Sequence, residues 1–110
     1  MNEEEILINE INSVKAEYEE WNINIRQAFD YVSYIEESIY CNGEDINHMR
    51  ELVGDTSISI QAMLDEKEKL LDRIKLTSMN YYDEVEREYR EKNINYEDKL
   101  NSLYNRLKVI

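Results

Sequence analysis

The sequence contains no proline and only two glycines, Gly43 and Gly54, among its 110 residues. Proline and glycine interrupt regular backbone most strongly, so their scarcity predicts few secondary-structure elements, each of them long. Charged residues make up 35% of the chain and hydrophobic residues 42%. This mixture fits long helices that expose most of their surface to water.

Basic residues are also scarce. The chain has 13 Lys and Arg residues against 25 Asp and Glu residues, which gives a formal net charge of −12. Binding to a phosphate backbone would have to overcome like-charge repulsion without a basic patch that releases counterions. The sequence therefore argues against nucleic acid and anionic membranes as partners.

Long apolar runs are missing as well. No run approaches the roughly 18 residues of a membrane span, so we expect no membrane insertion. The first residues, MNEEEILINEI, are acidic where a cleavable signal peptide requires a basic region followed by an apolar one. These features predict a cytoplasmic protein, or one that is exported with its partner by a Sec-independent route.

Residues that bind metals or catalyse reactions are few. Cys41 is the single cysteine, so no intramolecular disulfide forms, and we interpret Cys41 as an incidental free thiol. His48 has no second His or Cys at ligand spacing, and neither a Glu-x-x-His motif nor a calcium-loop pattern occurs. We therefore predict no metal site, no cofactor and no catalytic residue, and we expect a protein that is not an enzyme.

The apolar residues of the first half recur at alternating steps of four and three. They are Leu7, Ile11, Val14, Tyr18, Trp21, Ile25, Ala28, Val32, Ile35 and Ile39. This heptad repeat is typical of a helix that faces a partner helix in a left-handed supercoil. Asn2 is a candidate N-cap, and Asn42-Gly43 tolerates the left-handed conformation of a helix end. The pattern predicts a first helix from about Asn2 to Cys41 and a turn at about 42–45.

A second helix is predicted from about 46 to 108, with an ambiguity at Gly54. Either a short helix ends at Gly54 and another begins within 54–57, or one helix carries Gly54 at a cost of about 1 kcal/mol. We favour the break at 54–57, because Asp55 and Ser57 are candidate N-caps.

Apolar residues recur along this second segment too. They are Ile60, Met63, Leu64, Leu70, Leu71, Ile74, Tyr81, Val85, Tyr89, Tyr96, Leu100, Leu103, Leu107 and Ile110. Two successive four-residue steps, Tyr81 to Val85 to Tyr89, predict a stutter that locally unwinds the supercoil. Residues 1–110 are therefore predicted to form one domain, an all-α antiparallel two-helix hairpin with coiled-coil-like packing.

Two helices bury only one seam, and such hairpins usually complete their core with another chain. The nine tyrosines have rings that pack well and hydroxyls that stay hydrated, a combination enriched at interfaces. They either flank an ordinary two-helix core or contribute to an interface with a second chain. The residues that we predict in this seam, within the chain or with a partner, are Trp21, Ile25, Phe29, Val32, Ile35, Tyr81, Val85 and Tyr89.

Two long helices, an acidic composition and Trp21 resemble the small helical-hairpin proteins of type VII secretion, the WXG-type superfamily. Ile23 stands where that motif has glycine, so the chain is more similar to the small helical partners of LXG-domain toxins in Gram-positive bacteria. The resemblance implies a chaperone that binds the helical N-terminal region of a toxin and helps to present it for secretion. Tyr82 and Glu86 fit the pattern Tyr-x-x-x-Asp/Glu and form a candidate secretion signal.

The sequence thus predicts a non-enzymatic interaction protein that binds the helical N-terminal region of a type VII secreted toxin. Its partner would be that region or a second small helical protein. The alternative is a structural coiled-coil protein, such as a phage or cytoskeletal spacer, that uses the same seam to bind copies of itself. Neither hypothesis requires a ligand other than protein.

Overall fold

The computed structural model describes residues 2–110, and this part of the chain forms two α-helices and no strand. Helix α1 spans Glu3–Val53 and helix α2 spans Ile58–Lys108, with 51 residues in each. The predicted fold class, an all-α antiparallel two-helix hairpin, is confirmed.

Helix α1 begins at the predicted cap. The side-chain oxygen Oδ1 of Asn2 accepts a hydrogen bond from the backbone N–H of Glu5 at 2.8 Å. Glu3, Glu4 and Glu5 occupy the first turn, where the positive end of the helix dipole stabilises carboxylates.

The predicted turn at 42–45 is wrong, because α1 continues through these residues to Val53. Asn42 does not cap a helix end; its Nδ2 donates to the carbonyl oxygen of Ser38 at 2.7 Å, within the helix. Gly43 is helical, and the apolar repeat continues beyond it to Ile46, which is 7% exposed. Burying an isoleucine contributes about 1.5–3 kcal/mol, which exceeds the cost of about 1 kcal/mol for one helical glycine.

The hairpin turn lies at 54–57, where the sequence also predicted a break. Gly54 has a φ of +56°, and its N–H donates to the carbonyl oxygen of Arg50 at 2.9 Å. This is the left-handed C-terminal cap that glycine adopts without a steric penalty. Ser57 then caps α2, since its Oγ accepts from the backbone N–H of Ile60 at 3.3 Å.

The chain divides into two compact units. Unit 1 contains the part of α1 up to Ala28 and the part of α2 from Glu84 onward, and unit 2 contains Phe29–Asp83. Each unit consists of one segment of α1 and one segment of α2 in antiparallel orientation.

Unit 1 has a continuous apolar core. Its buried residues are Leu7, Ile11, Val14, Ile25, Val85 and Leu103. Tyr96, Leu100 and Leu107 pack against the cluster that Leu7, Ile11, Val14 and Leu103 form. Heptad positions of both helices therefore meet in this unit, as the spacing predicts.

Unit 2 has a thinner core. Its buried apolar residues are Val32, Ile46 and Leu64, and Ser78 is buried with them at 6% exposure. Leu70 and Ile74, which the sequence predicts in the packed stripe of α2, are 54% and 41% exposed.

The stutter in α2 lies at a different position from the one that the sequence predicts. Tyr81 is 42% exposed, and the buried residue one heptad before Val85 is Ser78. The two successive four-residue steps run instead from the buried Val85 to Tyr89 and from Tyr89 to Asn93. Tyr89 and Asn93 are half-buried. The phase shift that the sequence placed at Tyr81 thus lies one step further along the helix.

Candidate protein-interaction face

Four of the predicted seam residues lie in unit 1, two of them on α1 and two on α2. Ile25 and Val85 are buried at 8% and 6% exposure. Trp21 and Tyr89 are half-buried, and their rings stack with centroids 5.7 Å apart and an interplanar angle of 18°. These four side chains therefore belong to the packing between α1 and α2.

Trp21 is the centre of an aromatic cluster in unit 1. The ring of Tyr96 lies 6.0 Å from Trp21 and packs edge-on against Tyr18 at 5.0 Å. The Nζ of Lys92 lies 5.8 Å from the Trp21 ring, within the range of a cation–π contact. The hydroxyl of Tyr18 donates to the side-chain oxygen of Asn93, so the polar end of this ring is satisfied.

The other four predicted residues lie in unit 2. Val32 is buried, and Phe29 is half-buried with its ring 5.7 Å from that of Tyr82 in a T-shaped arrangement. Ile35 is half-buried and Tyr81 is exposed, and both line the same groove. The predicted set is therefore divided between buried contacts and a partly open surface.

This groove of unit 2 is lined mainly by apolar surface. It has a volume of about 360 Å³. Its lining residues are Tyr31, Ile35, Arg73, Ile74, Thr77, Ser78 and Tyr81. Tyr31 and Tyr81, on opposite helices, are 59% and 42% exposed, so the groove is bordered by two tyrosine rings.

Sequence reasoning missed Ser78, which shapes this surface. A serine at a core position fills less space than leucine, and Ser78 lines both the first groove and a second groove of about 390 Å³. Its buried Oγ has no hydrogen-bond partner among residues 2–110. The signal was present, because Leu64, Leu71, Ser78 and Val85 follow one another at seven-residue spacing.

Beside the residues that face α1, α2 carries a second row of apolar side chains in unit 2. We call this row the outer stripe; it consists of Met63, Leu70, Ile74 and Tyr81, which are 44%, 54%, 41% and 42% exposed. The sequence placed all four in the packed stripe of α2, whereas Leu64, Leu71 and Ser78 are the better covered residues. Unit 2 therefore leaves an apolar row in contact with water.

Charges around the outer stripe are distributed unevenly. Arg50 of α1 forms ion pairs with two residues of α2. Its Nη2 lies 2.7 Å from Asp65 Oδ1 and 2.7 Å from Glu68 Oε2. The hydrogen bond to Asp65 is the main reason that the pKa of Arg50 is raised above its ordinary value. Lys67, Lys69 and Arg73 make no ion pair with any of residues 2–110.

On the α1 side of unit 2, exposed tyrosines alternate with carboxylates. The hydroxyl of Tyr40 donates to Glu44 Oε1 at 2.8 Å, and this hydrogen bond to a negatively charged group raises the pKa of Tyr40. Tyr34 and Tyr40 are 67% and 65% exposed. Cys41 is exposed as well.

The two residues of the candidate secretion signal take different contacts. Tyr82 is 39% exposed and packs on Phe29 in unit 2. Glu86, in unit 1, pairs with Arg90 on the same helix.

Other classes of site find no support in the described residues. Between Asn2 and Ile110, no group of three or more His, Cys, Asp or Glu side chains is arranged to hold a metal ion. Neither helix contains a stretch apolar enough, over a sufficient length, to cross a lipid bilayer. Comparisons with protein-family models, characterised proteins and solved structures found no match to this chain.

Proposed function

We propose that this protein is a non-enzymatic interaction protein that binds helices of a second protein. We further propose that this second protein is a type VII secreted toxin of the LXG class, whose helical N-terminal region it accompanies. The observation that supports binding is the apolar face of unit 2, formed by the outer stripe and the neighbouring groove.

The size of this face supports a protein partner. Five large side chains, the outer stripe and Tyr31, are each about half exposed. If each has about 150 Å² to bury, together they expose roughly 400 Å² of surface. The largest apolar patch of a monomeric protein covers about 300–600 Å² and is often functional, and a standard interface buries about 800 Å² on each partner. A helix that covered these residues and their polar rim would bury an area of that order.

Co-expression tests the toxin assignment. The chain is produced with the helical N-terminal region of an LXG-domain protein encoded beside it, and the complex is purified through a tag on the toxin region. We expect the two chains to co-purify in equal amounts, and Leu70→Gln to reduce recovery because Leu70 is an exposed member of the outer stripe. Ile23→Gln is the matched control, since Ile23 is also exposed, at 57%, but lies in unit 1.

The homo-oligomeric alternative makes a different prediction. A structural coiled-coil spacer would sediment as a dimer or tetramer without any second protein, whereas the proposed adaptor sediments as a monomer until its partner is added. A stable oligomer of the parent chain that fails to bind the toxin region would contradict the proposal.

A further inference from the structure

The outer stripe has a heptad repeat of its own. Residues 63, 67, 70, 74, 77 and 81 follow one another at alternating steps of four and three. The apolar members Met63, Leu70, Ile74 and Tyr81 are each between 41% and 54% exposed. A stripe with this spacing packs against another helix in a left-handed supercoil. The geometry therefore calls for a helix as the molecule that covers it.

The outer stripe is confined to unit 2. The next positions at the same spacing are Glu84, Glu88 and Glu91, all of which are exposed. At 1.5 Å per residue, the stripe from Met63 to Tyr81 is roughly 27 Å long, about five helical turns. One helix of moderate length is enough to cover it.

The charges beside the outer stripe specify the chemistry of that helix. Lys67 lies within the stripe, Arg73 lines the groove, and Lys69 is exposed on the same segment of α2. One acidic residue, Glu66, flanks the stripe one heptad before Arg73. None of the three forms an ion pair with any of residues 2–110, although the chain contains 25 acidic residues. Carboxylates on a partner helix would pair with these cations, and charge complementarity of this kind fixes the choice and register of partners.

A second copy of the chain fits this surface poorly. Parallel pairing of two outer stripes would bring Lys67, Lys69 and Arg73 close to their own copies, and antiparallel pairing about a two-fold axis near residue 72 would do so for Arg73. Helix α1 of a second copy offers Tyr31 and Tyr34 in its exposed part of unit 2, but Asp45 interrupts the continuation of that row. The row of α1 that runs from Tyr31 through Ile35 to Met49 and Leu52 is likewise interrupted, by Ser38, Asn42 and Asp45 in succession.

We propose that the outer stripe binds a single helix of a different protein, whose apolar heptad stripe is flanked by acidic residues. This proposal rests on the proposed function, since it specifies the surface and the chemistry of the partner. The apolar stripes of the two helices interdigitate, and the acidic flanks of the partner pair with Lys67, Lys69 and Arg73.

Two synthetic peptides test the proposal. Both have about four heptads with Leu and Ile at the a and d positions; one carries Glu at e and g, and the other carries Lys there. Each peptide is labelled with fluorescein, and its binding to the full chain is followed by fluorescence anisotropy. We expect the Glu-flanked peptide to bind more tightly than the Lys-flanked peptide, with a difference that shrinks as salt is added.

Variants locate the binding surface. Ile74→Gln should weaken binding of the Glu-flanked peptide about tenfold, because it removes an apolar contact at the centre of the stripe. The double variant Lys69→Glu with Arg73→Glu should reverse the preference between the two peptides. The matched controls are Ile94→Gln, an exposed isoleucine of unit 1 on α2, and Lys99→Glu with Arg106→Glu, which changes the net charge equally. Circular dichroism verifies that every variant remains helical.

Several outcomes would overturn the proposal. These are failure of the Glu-flanked peptide to bind, equal binding of both peptides, or equal losses in the control variants. Sedimentation velocity of the parent chain alone should show a monomer; a dimer that Ile74→Gln dissociates would identify a second copy as the occupant and reject a foreign helix.

Binding of the toxin region distinguishes a failure of this proposal from a failure of the proposed function. If that region binds the parent, Ile74→Gln and the charge-reversed variant equally, the function stands and the outer stripe is not the docking surface. If the Glu-flanked peptide binds as expected and the toxin region does not bind, the surface and its chemistry stand and the toxin assignment fails.

Discussion

At the scale of single residues, Trp21 tests the packing of unit 1. Its ring stacks on Tyr89 and contacts Tyr18 and Tyr96, yet the side chain is only half-buried. Complete burial would make Trp21→Ala cost about 3–5 kcal/mol, so we expect about 2–3 kcal/mol here. Urea unfolding followed by circular dichroism measures the change, and Ile23→Ala, at an exposed position two residues away, serves as the control. An unchanged midpoint for Trp21→Ala would mean that the aromatic cluster contributes nothing to stability.

Ser78 provides a second test, in the opposite direction. Its buried hydroxyl lacks a hydrogen-bond partner, and leaving such a group unsatisfied costs about 1–3 kcal/mol. We expect Ser78→Ala to raise the free energy of unfolding by about 1 kcal/mol. Ser33→Ala, on an exposed part of α1, corrects for the better helix propensity of alanine. Equal gains in both variants would show that the Ser78 hydroxyl is satisfied in solution.

The same residue shows where sequence reasoning at this scale stops. Seven-residue spacing correctly indicates that Val32 and Val85 are buried. One heptad before Val85, however, the structure buries Ser78 and leaves the larger Tyr81 exposed, whereas the sequence predicts Tyr81 in the seam. Register is set by the neighbouring turns of the helix, so it determines which side chain faces the partner even when that side chain is small and polar.

At the scale of elements, the two glycines have opposite roles and make a matched pair. Gly43 lies inside α1, and a Cβ added there would meet no described atom within 4 Å outside the adjacent turns of its own helix backbone, so Gly43→Ala should stabilise the protein by about 1 kcal/mol. Gly54 has a φ of +56°, so Gly54→Ala should destabilise it by about 1–2 kcal/mol despite similar free space. Thermal unfolding of both variants compares the signs. Stabilisation by Gly54→Ala would place the turn elsewhere.

Local sequence signals alone could not locate the turn. Both Asn42-Gly43 and Gly54-Asp55 contain residues typical of helix ends. The difference comes from contacts distant in sequence: Arg50, which lies between the two glycines, bonds to Gln61 and Glu68 of α2. Those contacts require α1 to extend past Gly43. Rules that consider only a few neighbouring residues cannot predict them.

The Arg50 bridge gives a prediction for the connection between α1 and α2 in unit 2. Arg50→Gln should lower the Tm, since Asp65 and Glu68 lose their shared cation and repel each other. Because salt screens exposed charges, the difference from the parent should shrink between about 20 mM and about 500 mM NaCl. Arg26→Gln is the control, because Arg26 is exposed and makes no ion pair within the described part of the chain. A Tm difference that is independent of salt would assign the effect to lost packing.

At the scale of the whole molecule, the two units differ in how much apolar surface they bury. Of the residues that the structure describes, 2–110, unit 1 buries six apolar side chains, Leu7, Ile11, Val14, Ile25, Val85 and Leu103, and unit 2 buries three, Val32, Ile46 and Leu64. Regions with fewer buried contacts open more often. Backbone amides at 11–25 and 88–103 should therefore exchange hydrogen about tenfold more slowly than those at 32–46 and 64–78. Uniform protection would show that the chain opens only as one cooperative unit.

The sequence predicted an uncovered apolar surface as a class but did not locate it. Composition, heptad spacing and the tyrosines predicted that two helices would leave apolar area uncovered. The outer stripe emerged only with the structure, because Met63, Leu70 and Ile74 interleave in sequence with the packed residues Leu64 and Leu71. Adjacent stripes on one helix share the same spacing, so only the position of the neighbouring helix distinguishes them.

The hairpin topology also determines the order in which the chain assembles. Arg50 and Gln61 meet across the turn with only 11 residues between them, whereas Leu7 and Leu103 come from opposite ends of the sequence. Closing a short loop costs less entropy, so we expect pairing to start beside Gly54 and to reach the two ends last. A nascent chain on the ribosome consequently keeps the apolar row of its first helix exposed until α2 has been synthesised as far as Leu103.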